Sequence, residues 1–180
     1  FGEASSALVT PGGAASSTRG LFAGGYNPAE LNSIDYVTIA SLGNGQDFGD
    51  LTITVRRTAG SSNSTRAIWA GGNRYPSAPL GTADIDYSTI ATLGNALDFG
   101  TLASSSAGGP AACASSTRTV INVTTTSSPQ NSNTMNYVTI MSTGNGVDFG
   151  NLLADPTRRT GRCSSSTRGL FAGGESPSAQ

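Results

Sequence analysis

The chain repeats itself with a period of about 50 residues. A Ser-Thr-Arg block recurs at 17–19, 64–66, 116–118 and 166–168. An Asp/Asn-Tyr block follows at 35–36, 86–87 and 136–137, and a block from Gly-Asn to Asp-Phe-Gly follows at 43–49, 94–100 and 144–150. The arginines of the first block are 47, 52 and 50 residues apart. A fixed period of this length is typical of propellers and other repeat arrays.

The unit from 48 to 98 reads as four short strands. The segment 51–55 alternates apolar and polar residues with period two, which predicts a half-buried strand. We predict the other strands at 66–70, which ends at a Gly-Gly pair, at 85–91, and from 97, with 56–63 as a polar link. Four short antiparallel strands in each period describe a propeller blade. A β-sandwich or a β-solenoid with unusual internal similarity is the alternative.

We interpret 1–180 as a single repeat domain with approximate units 1–47, 48–98, 99–148 and an incomplete 149–180. Phe1-Gly2 aligns with Phe48-Gly49, so the chain starts inside a unit and we expect a piece of a longer or processed polypeptide. A closed propeller usually needs at least four blades. We therefore expect additional sequence or another chain to complete the array, unless it stays open.

The order of these parts resembles the kelch repeat. The matching features are Trp69 with Gly71-Gly72, then a variable loop, Tyr87, Phe99 and an Arg-containing link such as Arg56-Arg57. Two features depart from kelch: phenylalanine stands where kelch usually has tryptophan, and the third unit lacks the Gly-Gly strand end. The sequence motifs STRGLFAGG, DYVTIA and GNxxDFG are similar to those in kelch-like repeats of marine bacteriophage structural proteins, such as cyanophage fibre and tail components. This resemblance implies kelch-like β-propeller blades in a virion structural protein.

One arginine and one aspartate recur in each unit. They are Arg19, Arg66, Arg118 and Arg168, with Asp47, Asp98 and Asp148. We interpret them as structural, with an Arg–Asp or Arg–carbonyl link inside each blade, and a ring of charge is the alternative. Cys113 and Cys163 also lie one period apart. Because neighbouring sheets pack about 10 Å apart and a disulfide needs Cα atoms within about 7 Å, we expect two buried free thiols.

The residue types present argue against catalysis. The chain has no His, which excludes Ser/His/Asp and Cys/His nucleophile systems and the histidine ligands of copper enzymes built on kelch propellers. Carboxylates for glycoside hydrolysis remain at Asp84, Asp86 and Glu30, but Asp86 recurs with the period, which favours a turn or capping role. Asn44, Asp47 and Asp50 supply oxygen donors for calcium without the spacing of a known loop, so a turn is favoured. We expect no enzyme, no cofactor and no metal site.

Net charge and hydropathy indicate which classes of partner the chain can bind. The formal net charge is −1, so the chain has no electrostatic footprint for nucleic acid or an anionic membrane. No stretch approaches the roughly 18 apolar residues that a membrane-spanning helix needs. We expect neither nucleic-acid binding nor membrane insertion.

Function is expected where the units differ. The loops 26–33, 73–83 and 125–133 occupy the same place in each unit and share almost no sequence. Amides, an arginine and aromatic rings suit sugars. The candidate ligand-binding residues are Tyr26, Asn27, Glu30, Arg74, Tyr75, Gln130 and Asn131.

Two functions follow from these observations. The first is a non-enzymatic virion structural or adhesive protein, such as a phage tail fibre or tail tip, that presents variable loops to a partner or a host-surface glycan. Its partners would be other virion proteins or copies of itself, and its location the virion or the extracellular space. The alternative is a secreted carbohydrate-binding or enzyme-accessory propeller of cellular origin.

Overall fold

The computed structural model describes residues 2–5, 7–75, 80–124, 132–153 and 160–174. Within these ranges the protein is all-β, with fourteen strands and no helix. The strands form four consecutive antiparallel sheets, in which neighbours along the chain are also neighbours in space. Sheets of four short strands in this order are those of propeller blades, so the predicted fold class is confirmed.

Each sheet is formed by one stretch of the chain. Sheet 1 contains β1 (Gly12–Ala15), β2 (Arg19–Ala23), β3 (Ser33–Thr38) and β4 (Gln46–Asp50). Sheet 2 contains β5 (Ala59–Ser62), β6 (Arg66–Asn73), β7 (Gly81–Thr89) and β8 (Leu97–Ser106). Sheet 3 contains β9 (Ala111–Ala114), β10 (Arg118–Asn122), β11 (Thr134–Thr139) and β12 (Val147–Asn151). Sheet 4 has two described strands, β13 (Gly161–Ser164) and β14 (Gly169–Ala172).

The hydrophobic cores lie between sheets. One core joins Leu21 and Ile34 of sheet 1 to Trp69 and Ile90 of sheet 2. A second joins sheet 2 to sheet 3, and includes Ile68, which is fully buried. Alternate residues of β6 therefore enter different cores, as expected for a strand that is covered on both faces.

The Gly-Asn loops before β8 and β12 each clamp onto the preceding sheet, and the Gly-Asn loop before β4 binds the segment 2–5 in the same way. Asn95 Oδ1 accepts the Asp50 N–H at 3.1 Å, and the Gly94 N–H donates to the Phe48 carbonyl at 2.8 Å. The same bonds join Asn145 to Thr101 and Asn44 to Glu3. The glycine of Asp-Phe-Gly permits this approach, because a Cβ on Gly100 would lie 2.5 Å from the Gly144 carbonyl oxygen.

The Asp/Asn-Tyr block makes a second link between units. Asp86 is buried and accepts the Thr52 N–H at 2.8 Å and the Thr52 hydroxyl at 2.8 Å. Asn136 accepts the Ala103 N–H at the equivalent place, at 2.9 Å. Burial raises the pKa of Asp86 above its ordinary value of 3.8, against the opposing hydrogen bonds from Thr52. The block therefore fastens each third strand to the segment that leaves the preceding sheet.

Two of the repeated arginines, Arg19 and Arg66, link neighbouring sheets. Arg19 Nη1 donates to the Ile90 carbonyl at 2.7 Å, and Arg66 Nη1 donates to the Ile140 carbonyl at 3.1 Å. Their guanidinium groups also lie over the tyrosine of their own sheet, with Arg66 Cζ 4.3 Å from the Tyr87 ring centroid. The link is thus of the Arg–carbonyl kind, but it joins two sheets, so its predicted place inside one blade is wrong.

The predicted Arg–Asp pair does not form among the described residues. Asp98 and Asp148 instead accept the N–H groups of Gly100 and Gly150, two residues further on, at 3.0 and 3.2 Å. Asp47, Asp98 and Asp148 are all exposed. Their period therefore reflects the local turn into the Phe-Gly pair.

One strand prediction is wrong. The segment 51–55 is not a strand, and the first strand of sheet 2 is β5, inside the predicted link 56–63. The alternation has another cause, because Leu51 and Val55 pack in the core with Trp69 while Thr52 binds Asp86. The segment is thus held against sheet 2 by its side chains.

The cysteines are both free, as predicted, but only Cys113 is buried. Its Sγ lies 3.2 Å from the Cys163 carbonyl oxygen, and burial raises the pKa of its thiol. Cys163 is exposed, so its predicted burial is wrong. It lies on β13, all of whose residues are exposed.

Candidate functional site

A cluster of four side chains forms where sheets 1 and 2 meet at their variable loops. We call it the Arg56 cluster, and its members are Tyr26, Glu30, Arg56 and Tyr75. Tyr26 and Glu30 come from the loop after β2, Arg56 from the link before β5, and Tyr75 from the loop after β6. Two loops that vary between units thus meet at one place.

Backbone hydrogen bonds hold in place the segments that carry the Arg56 cluster. The Tyr26 N–H donates to the Val9 carbonyl at 3.1 Å, and Tyr26 also bridges to Glu30. Arg56 and Asn73 exchange two backbone hydrogen bonds of 3.0 and 2.8 Å. Both loops are therefore anchored at their bases, which reduces the entropy lost when their side chains bind a ligand.

Arg56 is the centre of the cluster. Its Cζ lies 5.2 Å from the Tyr26 ring centroid and 5.8 Å from that of Tyr75, within the range of cation–π attraction. Its Nε lies 3.4 Å from Glu30 Oε1, and the Tyr75 N–H donates to the same oxygen at 3.2 Å. Glu30 thus fixes both the guanidinium and the loop that carries Tyr75.

The cluster has both exposed apolar surface and unused polar atoms. The Tyr75 side chain is 57% exposed. Two buried side-chain atoms, Asn73 Oδ1 and Arg74 Nε, have no hydrogen-bond partner among the described residues, and Arg56 Nε has only its ion pair with Glu30. All three lie in the segments that form or flank the cluster. Buried polar groups are normally paired, so such a group at one place indicates water or a ligand there.

The structure brings together three of the predicted ligand-binding residues, Tyr26, Glu30 and Tyr75. Asn27 is exposed next to Tyr26, and its N–H donates to the Ala29 carbonyl at 2.9 Å. Arg74 is half-buried, and its N–H donates to the Leu80 carbonyl at 2.8 Å. Gln130 and Asn131 lie outside the described residues.

Sequence reasoning missed Arg56 as a site residue, because it assigned Arg56 to a polar link. Its repeat equivalents are Val9, Gly108 and Arg158, so arginine stands at this position in two of the four units. The position therefore differs between units, as the variable loops do. Variation between units, when it is looked for in the links as well as in the loops, is the signal that marks this position.

The carboxylates considered for hydrolysis have other partners. Asp86 binds Thr52, Asp84 accepts the Thr82 hydroxyl at 2.5 Å, and Glu30 pairs with Arg56. Among the described residues, no group of three or more His, Cys, Asp or Glu side chains is placed to hold a metal ion. The described part of the chain also contains no helix long and apolar enough to cross a membrane.

A tyrosine ring beside a planar guanidinium provides a stacking surface with hydrogen-bond donors at its edge. This arrangement suits a flat, hydroxylated ligand better than a charged one, because Glu30 already neutralises Arg56. Neither a protein-family model nor a curated protein matches this chain.

Proposed function

We propose that this protein is a non-enzymatic virion structural or adhesive component that binds a host-surface glycan at the Arg56 cluster. The observation that supports binding is the exposed Tyr75 ring, which lies with Tyr26 beside Arg56 on loops that differ between units. Sugars stack their apolar faces on such rings and exchange hydrogen bonds at the edge. The virion setting is supported by the resemblance of the repeated sequence motifs to those of phage structural proteins.

A glycan array with the purified chain tests the binding. We expect binding to a restricted set of glycans, and loss of about tenfold or more in affinity on Tyr75→Ala, since stacking on an aromatic ring contributes about 1–3 kcal/mol. Leu93→Ala is the matched control, because Leu93 is also 57% exposed but lies in a Gly-Asn loop. Equal loss in both variants, or no binding to any glycan, would contradict the proposal.

Arg56→Lys tests whether the planar guanidinium of Arg56 contributes to glycan binding. Lysine keeps the charge that pairs with Glu30 but lacks the planar guanidinium. We expect an unchanged unfolding midpoint and weaker glycan binding. Unchanged affinity would show that Arg56 only supports the loops.

Immunogold electron microscopy tests the virion setting separately. An antibody raised against the chain should label an appendage of phage particles whose genome encodes it. Glycan binding without particle labelling would favour the alternative, a secreted carbohydrate-binding or enzyme-accessory propeller.

A further inference from the structure

Asn73 lies next to the Arg56 cluster and has an unused hydrogen-bond acceptor. Its Oδ1 is buried and has no hydrogen-bond partner among the described residues. Asn73 is the last residue of β6, and its neighbour across the sheet on β7 is Gly81, which has no side chain to donate to it. Because a buried amide oxygen without a donor costs free energy, this atom indicates a donor that comes from outside the chain.

The backbone places the Asn73 side chain on the same face as that of Arg56. The two residues form an antiparallel bridge and exchange backbone hydrogen bonds of 3.0 and 2.8 Å. Residues opposed in this way project their side chains from one face, with Cβ atoms roughly 5 Å apart. The Tyr75 ring centroid lies 5.8 Å from Arg56 Cζ. The Asn73 amide, the Arg56 guanidinium and the Tyr75 ring are therefore neighbours.

The same bridge recurs in the first unit with other side chains. There Val9 and Tyr26 exchange backbone hydrogen bonds of 3.3 and 3.1 Å. Val9 is the repeat equivalent of Arg56, and Tyr26 is that of Asn73. The other three units have Tyr, Thr and Glu at the position of Asn73. The repeated scaffold thus requires the backbone pairing but not the amide, as expected of a residue that serves a ligand.

We propose that the Arg56 cluster binds a neutral sugar, and that Asn73 Oδ1 accepts a hydrogen bond from one of its hydroxyl groups. This inference rests on the proposed glycan binding and names the class of glycan. A hydroxyl carries the proton that the Asn73 oxygen needs, whereas an ionised sugar carboxylate offers acceptors only. Asn73 is then a specificity-determining residue that was absent from the candidate residues of the variable loops.

Glu30 disfavours an acidic sugar at the same place. Its side chain is 7% exposed, and its Oε1 lies 3.4 Å from Arg56 Nε. The formal charges of the cluster therefore cancel, so an anion gains no net attraction. A sugar carboxylate would also lose water beside a second, buried carboxylate, and a neutral sugar avoids that cost.

A glycan array that carries each terminal hexose beside its uronic acid tests the class of sugar. The pairs are glucose, galactose and mannose with their uronic acids, each on the same linker. We expect binding to at least one neutral hexose, and binding at least about tenfold weaker to its uronic acid. Glu30→Gln should reduce this preference, because it frees the Arg56 charge while glutamine still accepts the Tyr75 N–H. A preference of the wild-type chain for the uronic acids would overturn the proposal.

Asn73→Leu tests the hydroxyl contact. We expect about tenfold weaker binding of the neutral hexose, because the acceptor is lost. The unfolding midpoint should not fall, since an unpaired buried acceptor is replaced by an apolar group of similar size. Asn122→Leu is the matched control, because the buried Asn122 amide donates to the carbonyls of Ser132 and Thr134 and its loss should lower the midpoint.

Monodeoxy analogues of the bound hexose identify the hydroxyl. One analogue should bind the wild-type chain about tenfold more weakly than the hexose, and should bind the Asn73→Leu protein as well as the hexose does. A deoxy effect that persists in Asn73→Leu, an unchanged affinity of that variant, or a midpoint that falls as in Asn122→Leu would overturn this inference and leave the proposed glycan binding standing. Absence of binding to every glycan would overturn both.

Discussion

Two segments with the same nine residues, 17–25 and 166–174, lie in different surroundings. Leu21 is fully buried, whereas Leu170 is 61% exposed. Arg19 stacks on Tyr36 and binds the Ile90 carbonyl, whereas the Arg168 side chain has neither kind of contact among the described residues. Burial in this molecule is thus supplied by the next strand and the next sheet. The stability of a unit depends on its neighbours, as in other repeat arrays.

The largest expected difference is between the two leucines. Leu21→Ala removes a fully buried side chain from the core between sheets 1 and 2, and should cost about 3 kcal/mol of unfolding free energy. Leu170→Ala should cost less than about 0.5 kcal/mol, because it is a surface change. Urea denaturation of the two variants measures both values. Equal losses would show that sheet 4 is covered in solution.

The arginines give the next comparison. Arg66→Ala should cost about 2 kcal/mol, since it removes a charged hydrogen bond to Ile140 and the stack on Tyr87. Arg168→Ala should leave the unfolding free energy unchanged within about 0.5 kcal/mol. An unchanged midpoint for Arg66→Ala would refute the structural role of the repeated arginine.

Substituting the glycines of two Asp-Phe-Gly motifs allows the cost of a steric contact to be measured separately from the cost of backbone strain. Gly100 and Gly150 have φ of +143° and +121°, so alanine is strained at both positions. Of the two, Gly100 faces a neighbouring loop, with the Gly144 oxygen 2.5 Å from the position of its Cβ, whereas no atom of the described residues lies within 4 Å of that position at Gly150. Gly100→Ala should cost about 1–2 kcal/mol more than Gly150→Ala, as the clamp must shift. Thermal unfolding of both variants measures the difference.

Replacement of Asp86 should have the smallest effect on the free energy of unfolding, and this effect should depend on pH. Burial raises its pKa in the folded protein above 3.8, so the native state takes up a proton before the unfolded chain does as the pH falls. Stability from this group therefore increases as the pH falls through the raised pKa towards 3.8, and decreases as the pH rises through that window.

Asp86→Asn should abolish that dependence and stabilise the protein at pH 7 by about 1 kcal/mol or less. The equivalent Asn136 already makes the corresponding bond to a backbone N–H, so an amide fits the position. Unfolding free energies at several pH values check this, and Asn136→Asp should introduce the dependence in sheet 3. Parallel pH profiles for wild type and Asp86→Asn would contradict the assignment.

The period predicted the sheets because each unit carries the same turns and strand patterns. It could not separate bonds within a unit from bonds between units, because both recur at the same spacing. The arginine was therefore placed inside a blade, although it binds the carbonyl of the next sheet. The segment 51–55 was predicted as a strand for a similar reason, since a chain packed against a neighbouring sheet also alternates apolar and polar residues.

The candidate site was predictable only in part. Variable loops identified Tyr26, Glu30 and Tyr75, because loops that differ on a common scaffold are where function is expected. Arg56 lies in a link and not in a variable loop. Its role depends on two loops of different units, which bring the rings of Tyr26 and Tyr75 next to its guanidinium. Such convergence is a property of the fold and not of any one segment.

The Gly-Asn clamp has a consequence for how such genes change length. Its bonds to the preceding sheet use one amide side chain and backbone groups that every copy of the motif offers. Duplicating a whole unit therefore creates a new junction that already fits, and deleting a whole unit joins two ends that also fit. Loss of part of a unit leaves one clamp without its sheet. Selection should then tolerate changes in steps of about 50 residues, the length of one unit.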